Sequence, residues 1–493
     1  MPEHLRSLVV ISLIAIFVFT LFKNASSTMI SPSQYIRWRN TWFAIVLFAF
    51  LSNDFWIFVF LSTIYIIFVS KSVKNLFAFY IVLLFALPNM GMDIPGGGIL
   101  DHLFRMTYAR LLSLTILLPA YFAIKNKREN VAFGKLPSDK FLIIYILVQS
   151  LVYIRFTSLT DTMRTGFYGF LEIFLPYYLA SRTFKELSQF KEVSFAFVIS
   201  CFIVALIACF EFTYSWLLYY SLPQSMGADS IMGYLGRDGR LRAVSSLGQP
   251  LILGFVMLVA LGFYLFIQNN IKNRTIRYLG LAIISGGLIA PLSRGPWIGI
   301  SVLMLVYFAI GPSAIKRFFQ LAVASAFMIL LISVLPGGQR IINLLPFIGN
   351  VEVENIDYRE KLFDKSVILF EQNFWFGRSD YLNAPELQDM VQGQGIIDIV
   401  NSYIAIALSS GIIGLTLFSG FFASVIIGML KSLKKLPDKI SETYQLGRSI
   451  FAIIIAMLVT IATVSSISVI PIVYWMVAGL AVAYIRMIKM QQK

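Results

Sequence analysis

The sequence predicts an all-α polytopic membrane protein, and three observations carry that reading. Of 493 residues, 58% are hydrophobic and 13% charged, at a mean hydropathy of +0.79; soluble chains carry roughly 25% charge. Apolar runs near the length that crosses a bilayer recur from end to end. The runs are continuous rather than alternating, which excludes a β-barrel.

The expected helices are 8–22, 42–51, 55–70, 75–88, 107–124, 141–156, 167–180, 194–218, 248–268, 277–292, 296–311, 319–336, 402–427, 449–465 and 469–486. Ser52-Asn53-Asp54 separates 42–51 from 55–70, as one broken helix or a re-entrant hairpin, so about 14–15 spans are expected. The run Leu8–Phe22 reads as an uncleaved first helix. Residues 1–493 form a single integral membrane domain, with one long partly helical loop at 337–401. No transporter-type inverted repeat is evident. Cys201 and Cys209 share one apolar run and read as small buried hydrophobes. Only two histidines are present, His4 and His102, which removes a histidine metal cluster and disfavours a histidine base. No metal or cofactor is expected.

Basic residues set orientation. One alternating set of connections holds 26 of the 40 basic residues and six acids, and is assigned to the cytoplasm. The net charge of +15 is thus explained by topology and is not a sign of nucleic-acid binding. The other face holds 14 basic residues, of which 12 are Arg, against 9 Arg among the 26 inside. Orientation alone has no preference between the two. Arginine differs in its flat fork of donors, which grips phosphate or carboxylate bidentately. The bias therefore points to an anionic ligand on the outer face, chance and structural ion pairs being the competing reading.

Four stretches of that face carry the candidates. In LSRGPWIGI (292–300), Arg294 stands at the tip of an apolar hairpin. Gly295 permits close backbone approach and Pro296 starts the next helix, whose N-terminal N–H groups and dipole favour an anion. The bland alternative is a snorkelling turn arginine. In GRDGRLRAVSSLGQPLILGF (236–255), Arg237, Arg240 and Arg242 precede a helix beginning near Gln249-Pro250; Arg240 and Arg242 face one way if extended. In YREKLFDKSVILFEQNFWFGRSDYL (358–382), Asp357 is expected to cap a helix that carries Arg359, with Glu360 closing a capping box. Leu362, Phe363, Val367, Leu369 and Phe370 form its apolar stripe, Glu371 ends it, and Arg378 follows an aromatic-glycine turn. Trp375 there reads as an interface anchor. In QGQGIIDIVNSYIAIALSSGIIGL (392–415), Asp398, Asn401, Ser402 and Tyr403 cluster where the loop re-enters the membrane. Asp398 reads either as a proton acceptor or as a helix cap. Glu172 and Glu211, inside apolar runs, read as relay groups or as partners of arginines.

In order, RLRAVSSLGQPLILG, PLSRGPWIG, YREKLFDKSVILFEQNFWFG and VNSYIAIALSSGIIGL resemble the O-antigen ligase and polymerase superfamily of bacterial polysaccharide assembly, in its Wzy-type polymerase branch. The resemblance covers about 235–415. It implies a GT-C-like, metal-independent glycosyltransferase of the bacterial cytoplasmic membrane, with its active site outside. The implied donor is a glycan on polyprenyl diphosphate and the acceptor a second lipid-linked unit. A flippase and a chain-length regulator are the implied partners, with membrane lipid around them. Arg242, Arg294 and Arg359 match the family's arginine positions and would grip diphosphate. Arg240, Gln249, Arg378, Asn401 and Tyr403 are further substrate-binding candidates. Ligases of the superfamily carry a His before the NSY stretch, where this chain has Val400. That leaves Asp398 first and Glu371 second as the acceptor's base. The competing readings are an O-antigen ligase-type transferase, a lipid-linked oligosaccharide flippase or transporter, and a scaffold.

Overall fold

In the computed structural model, described over residues 1–98, 101–125, 131–237, 239–334, 353–391 and 397–491, each of the fifteen expected apolar runs holds a helix. The first are α1 (Glu3–Leu21), α2 (Pro32–Leu51), α3 (Phe55–Ser70) and α4 (Leu76–Leu84). A small hairpin of β1 (Gly91–Pro95) and β2 (His102–Thr107) leads to α5 (Tyr108–Lys125). Then come α6 (Pro137–Phe156), α7 (159–183) and α8 (Leu187–Tyr214). A second hairpin, β3 (Gly236–Arg237) and β4 (Arg240–Leu241), precedes α9 (Pro250–Ile267), α10 (Arg274–Ile289), α11 (Arg294–Ala309) and α12 (Ala314–Val334). Helix α13 (Val353–Gln372) lies in the long loop, and α14 (Ser402–Lys434), α15 (Glu442–Ile461) and α16 (Val469–Gln491) close the chain. Arg340, Lys127, Arg128, Glu129, Lys493 and the QGQG stretch lie outside the described residues.

The protein is an all-α polytopic membrane protein. Among the described residues, seven helices are long and apolar enough to cross a membrane by length and composition: α1, α5, α8, α9, α14, α15 and α16. Of the pair left open in the sequence, α2 and α3 are separate helices. Asn53 takes a left-handed φ of 50° between them, Asp54 caps α3, and Phe48 meets Tyr65 edge-on at 5.6 Å. Helix α9 is apolar all round and 94% buried over its best window, whereas α1 is 28% buried. Helices apolar on every side belong in the middle, and α9 packs there against α8, α10, α11 and α15.

The expected helix 75–88 stops at Leu84. Pro88 disfavours a further turn because its ring meets the carbonyl four residues back. Hydroxyls take the freed carbonyls: Tyr108 donates to Leu83 O at 2.8 Å, Ser246 to Phe85 O at 2.6 Å and Tyr219 to Ala86 O at 3.0 Å. Non-helical backbone inside the bundle requires such partners.

Helix α14 is broken at Gly411, whose φ of 63° and ψ of −166° are not helical. The aromatic-glycine turn fills the break. Ile412 N donates to Phe374 O at 2.8 Å, Ile413 N to Trp375 O at 3.3 Å, and Arg378 N to Leu408 O at 2.8 Å. Gly377, at φ 65°, sits so close that a Cβ would lie 2.6 Å from Ser410 N. The loop also has its own small core, with Leu362, Leu369, Leu387, Met390 and Ile399 against Leu408. Helix α13 begins at Val353, before the expected cap, so Asp357 lies within it, exposed, and does not cap it. Its apolar stripe is narrower than expected. Leu362 and Leu369 are buried, one heptad apart, while Phe363 and Val367 face outward.

Groups assigned by sequence to one face meet at one end of the bundle. Arg105 pairs with Asp229, and Arg110 with Glu172, at the arginine-rich end. Lys191 pairs with Glu442, and Arg182 with Asp139, at the lysine-rich end.

Candidate active site

Arg294 is the first residue of α11, after Ser293, so Pro296 falls in the first turn rather than at its first position. The turn before it is tight, with Leu292 at φ 46°. Three carbonyls of that turn are taken by β3 and the segment that follows it. Arg237 Nη1 donates to Leu292 O at 2.7 Å, Arg242 Nε to Pro291 O at 3.1 Å, and Ala243 N to Ala290 O at 3.1 Å. Three arginines thereby gather at the start of one helix, where the positive end of its dipole adds to their charge.

Glycine decides how deep this tip sits. A Cβ on Gly295 would stand 2.7 Å from Thr463 Oγ1 and 3.1 Å from Val464 Cγ1. The tip therefore leans on the connection between α15 and α16. That connection continues into Ser465, whose hydroxyl donates to Asp398 Oδ1 and to Ile399 O, the latter at 3.0 Å. Ser402 donates to Val464 O at 2.8 Å. One short run, 463–465, thus joins the hairpin tip to the point where the long loop re-enters the bundle.

Asp398 lines a cavity of about 390 Å³ with Glu172, Tyr168, Ser402, Ser465 and Ser466. The size lies within the ordinary range for small-molecule sites. Arg359, exposed on α13 and not part of the lining, is within electrostatic reach of Asp398, and its neighbour Tyr358 donates to Asp398 O at 3.2 Å. On the far wall Glu172 accepts from Arg110 Nε at 2.7 Å. Glu172 lies in a π-helical turn of α7, a local bulge of a kind frequent at functional sites. The arrangement holds two carboxylates and several hydroxyls, with Arg110 paired to one of the carboxylates.

The other candidates take different places. Asn401 caps α14, accepting from Tyr403 N at 2.9 Å and Ile404 N at 3.3 Å. The Tyr403 hydroxyl donates to Leu458 O at 2.9 Å, away from the cavity lining. Gln249 Nε2 donates to Ile231 O and holds the loop before α9. Arg240 is exposed over the Phe212 ring at 5.5 Å, so it and Arg242 have different partners. Arg378 pairs with Asp380 through two hydrogen bonds of 2.9 Å. Each charge holds the other: Asp380 is kept below the usual carboxylate range, and Arg378 is raised. Glu371 is exposed in the last turn of α13, outside the cavity lining. Of the two acids noted inside apolar runs, Glu172 is the partner of an arginine. Glu211 is wholly buried and accepts from three backbone N–H groups, of Leu218, Val244 and Ser245, at 2.8–3.1 Å.

Ser465, Ser466 and Tyr168 were not singled out in the sequence. The hydroxyl-rich stretch TVSSIS between the last two helices was the available signal. Arg110 was visible only as one of twelve outer arginines.

The model of the O-antigen ligase family matches residues 279–419. That span runs from α10 through the hairpin tip and the long loop to the broken part of α14, so it contains Arg294, Arg359 and Asp398. Over that span the chain is similar to the O-antigen ligase and polymerase superfamily. No curated protein matches the chain.

Proposed function

We propose that the protein is a polysaccharide polymerase that joins repeat units carried on polyprenyl diphosphate at the outer face of the bacterial cytoplasmic membrane. The observation that carries this reading is the gathering of Arg237, Arg242 and Arg294 at a helix N-terminus, one short link from Asp398 in its cavity. In the reaction, an acceptor sugar hydroxyl attacks the donor's anomeric carbon. The new glycosidic bond forms as the bond to phosphate breaks, and lipid diphosphate leaves with the electron pair. Asp398 takes the hydroxyl proton. Charge grows on the diphosphate as it departs, so guanidinium groups fixed beforehand lower the barrier. Arg359, on the loop helix, also binds diphosphate. Val400 in place of the ligases' His favours the polymerase over the ligase. No metal or nucleotide sugar enters the scheme.

The discriminating experiment is to resolve lipid-linked glycans by size and membrane face in cells lacking the protein. Single repeat units accumulating on the outer face are the expected result. Units held on the inner face would mean a flippase. Long lipid-linked polymer that is never handed on would mean a ligase.

A further inference from the structure

At the lysine-rich end two more cavities open side by side, of about 340 and 320 Å³. Both are lined by Pro137, the first residue of α6. One carries Lys431 of α14 with Arg486 and Lys489 of α16, and the other Lys135 and Lys140. No acidic side chain lines either one among the described residues. The nearest acid, Asp139, is fully buried and already taken. Arg182 Nη2 lies 2.5 Å from its Oδ2, and Tyr177 donates to its Oδ1 at 2.8 Å. Its charge is matched first by Arg182, so neither cavity has an acid of its own to offset the four lysines.

The walls are mixed in a way that fits an amphiphile. Below the cations, Ile427, Val425 and Val482 line the first cavity, and Phe141, Ile144 and Leu417 the second. Ile427 and Ile144 face outward from the protein at about half exposure. Position along the helix fixes the depth. Pro471 lines the candidate active site and Lys489 this one. At 1.5 Å per residue about 27 Å of α16 separates them, close to the ~30 Å of a bilayer's hydrocarbon core. The second site thus lies at the opposite membrane boundary, where phospholipid headgroups sit.

We propose that the paired cavities around Pro137 hold the phosphodiester headgroup of an anionic phospholipid, with Lys431, Arg486 and Lys489 around the phosphate and its acyl chains along Ile427 and Ile144. Basic pockets between transmembrane helices bind such headgroups by this combination of charge and apolar wall. Arg486 is the fixed member, since its Nη1 donates to Ser181 O at 2.6 Å, and the lysines are exposed donors around it. The site is independent of the reaction proposed above and stands or falls by lipid binding alone.

The test is native mass spectrometry of the full chain in detergent, titrated with phosphatidylglycerol, with phosphatidylcholine of the same acyl chains, and with inorganic phosphate. The wild type is expected to retain phosphatidylglycerol in preference to phosphatidylcholine. Lys431→Gln with Lys489→Gln should weaken that retention roughly 20–30-fold, from the usual contribution of a basic side chain near anionic lipid. Lys135→Gln with Lys140→Gln, in the neighbouring cavity, should weaken it in the same direction. All four lysines are exposed, so the fold is not at stake. Lys71→Gln with Lys74→Gln, at the same end but in neither cavity, should leave retention unchanged. Equal losses in the control and test pairs would mean a diffuse surface charge and overturn the site. Inorganic phosphate displacing the lipid at equal concentration would mean a free-anion site and overturn it as well.

Discussion

Both ends of the bundle are basic, yet they hold their charge in different ways. At one end Arg237 and Arg242 are fastened to the carbonyls of a tight turn, and Arg294 begins the next helix. A folded loop with its own core lies close by, joined to this region through Asp398. At the other end Lys135, Lys140, Lys431 and Lys489 stand exposed around open cavities, under no such cover. The difference teaches what positive charge is for in each place. Orienting a chain in a membrane needs only charge, and lysine supplies it at little structural cost. Holding a group in one geometry needs a planar fork already immobilised before the ligand arrives.

The comparison breaks most completely if the two ends do not face opposite sides. Cysteine placed at Asp364, exposed on α13, should react with a membrane-impermeant thiol reagent in intact cells, and cysteine placed at Lys434 should not. Labelling in the reverse pattern would overturn the orientation and the proposed site together.

Next in size is the fork itself. Arg294→Lys and Arg294→Ala should each reduce polymer formation by about 10²-fold or more, the usual loss for a group that stabilises charge in the transition state. Full-length polymer in the lysine variant would mean that point charge suffices at this end too. The same assay separates the two acids. Asp398→Asn should cost about 10²-fold or more, and Glu371→Gln, exposed and outside the cavity, much less.

A third test removes the loop's attachment and leaves the arginines alone. Gly377 and Gly411 hold left-handed backbone where the loop fills the break in α14. Gly377→Ala should destabilise that contact by about 1–3 kcal/mol. The expected readout is faster proteolysis between α13 and α14, with little change in the melting of the bundle. Unchanged proteolysis would mean that the loop is held by other contacts.

The smallest effect concerns pH. Arg378 holds Asp380 below the usual carboxylate range, so their pairing contributes stability that is present above the ordinary carboxylate pKa. It is lost as pH falls through the lowered value. Wild-type loop stability should fall slightly more than that of Asp380→Asn on going from about pH 5 to about pH 3, by about 0.5 kcal/mol or less for a pair still in contact with solvent. Parallel losses would assign the pair no role.

Much of this was legible because a bilayer imposes long apolar runs, and each run became a helix. The ends were less legible, for reasons that lie outside local sequence. Pro88 signals the early stop of helix 75–88, but the partners that make it tolerable, the hydroxyls of Tyr108, Ser246 and Tyr219, are all remote in sequence. The run 402–427 looks continuous, and only the docked turn at Phe374–Arg378 makes its break at Gly411 tolerable. The Arg294 tip and Asp398 were legible as chemistry misplaced in apolar surroundings. The serines that join them were not, because serine is common at helix ends, and only the three-dimensional meeting of 463–465 with 398–402 gives them a role.

The most direct test of the proposed polymerase supplies the purified protein, in lipid vesicles, with repeat units linked to polyprenyl diphosphate and with nothing else. The expected result is a ladder of lengthening lipid-linked chains, with one lipid diphosphate released for each joint formed, and no ladder from Arg294→Lys. Repeat units that stay single while a supplied polymer is passed to a different acceptor would contradict it.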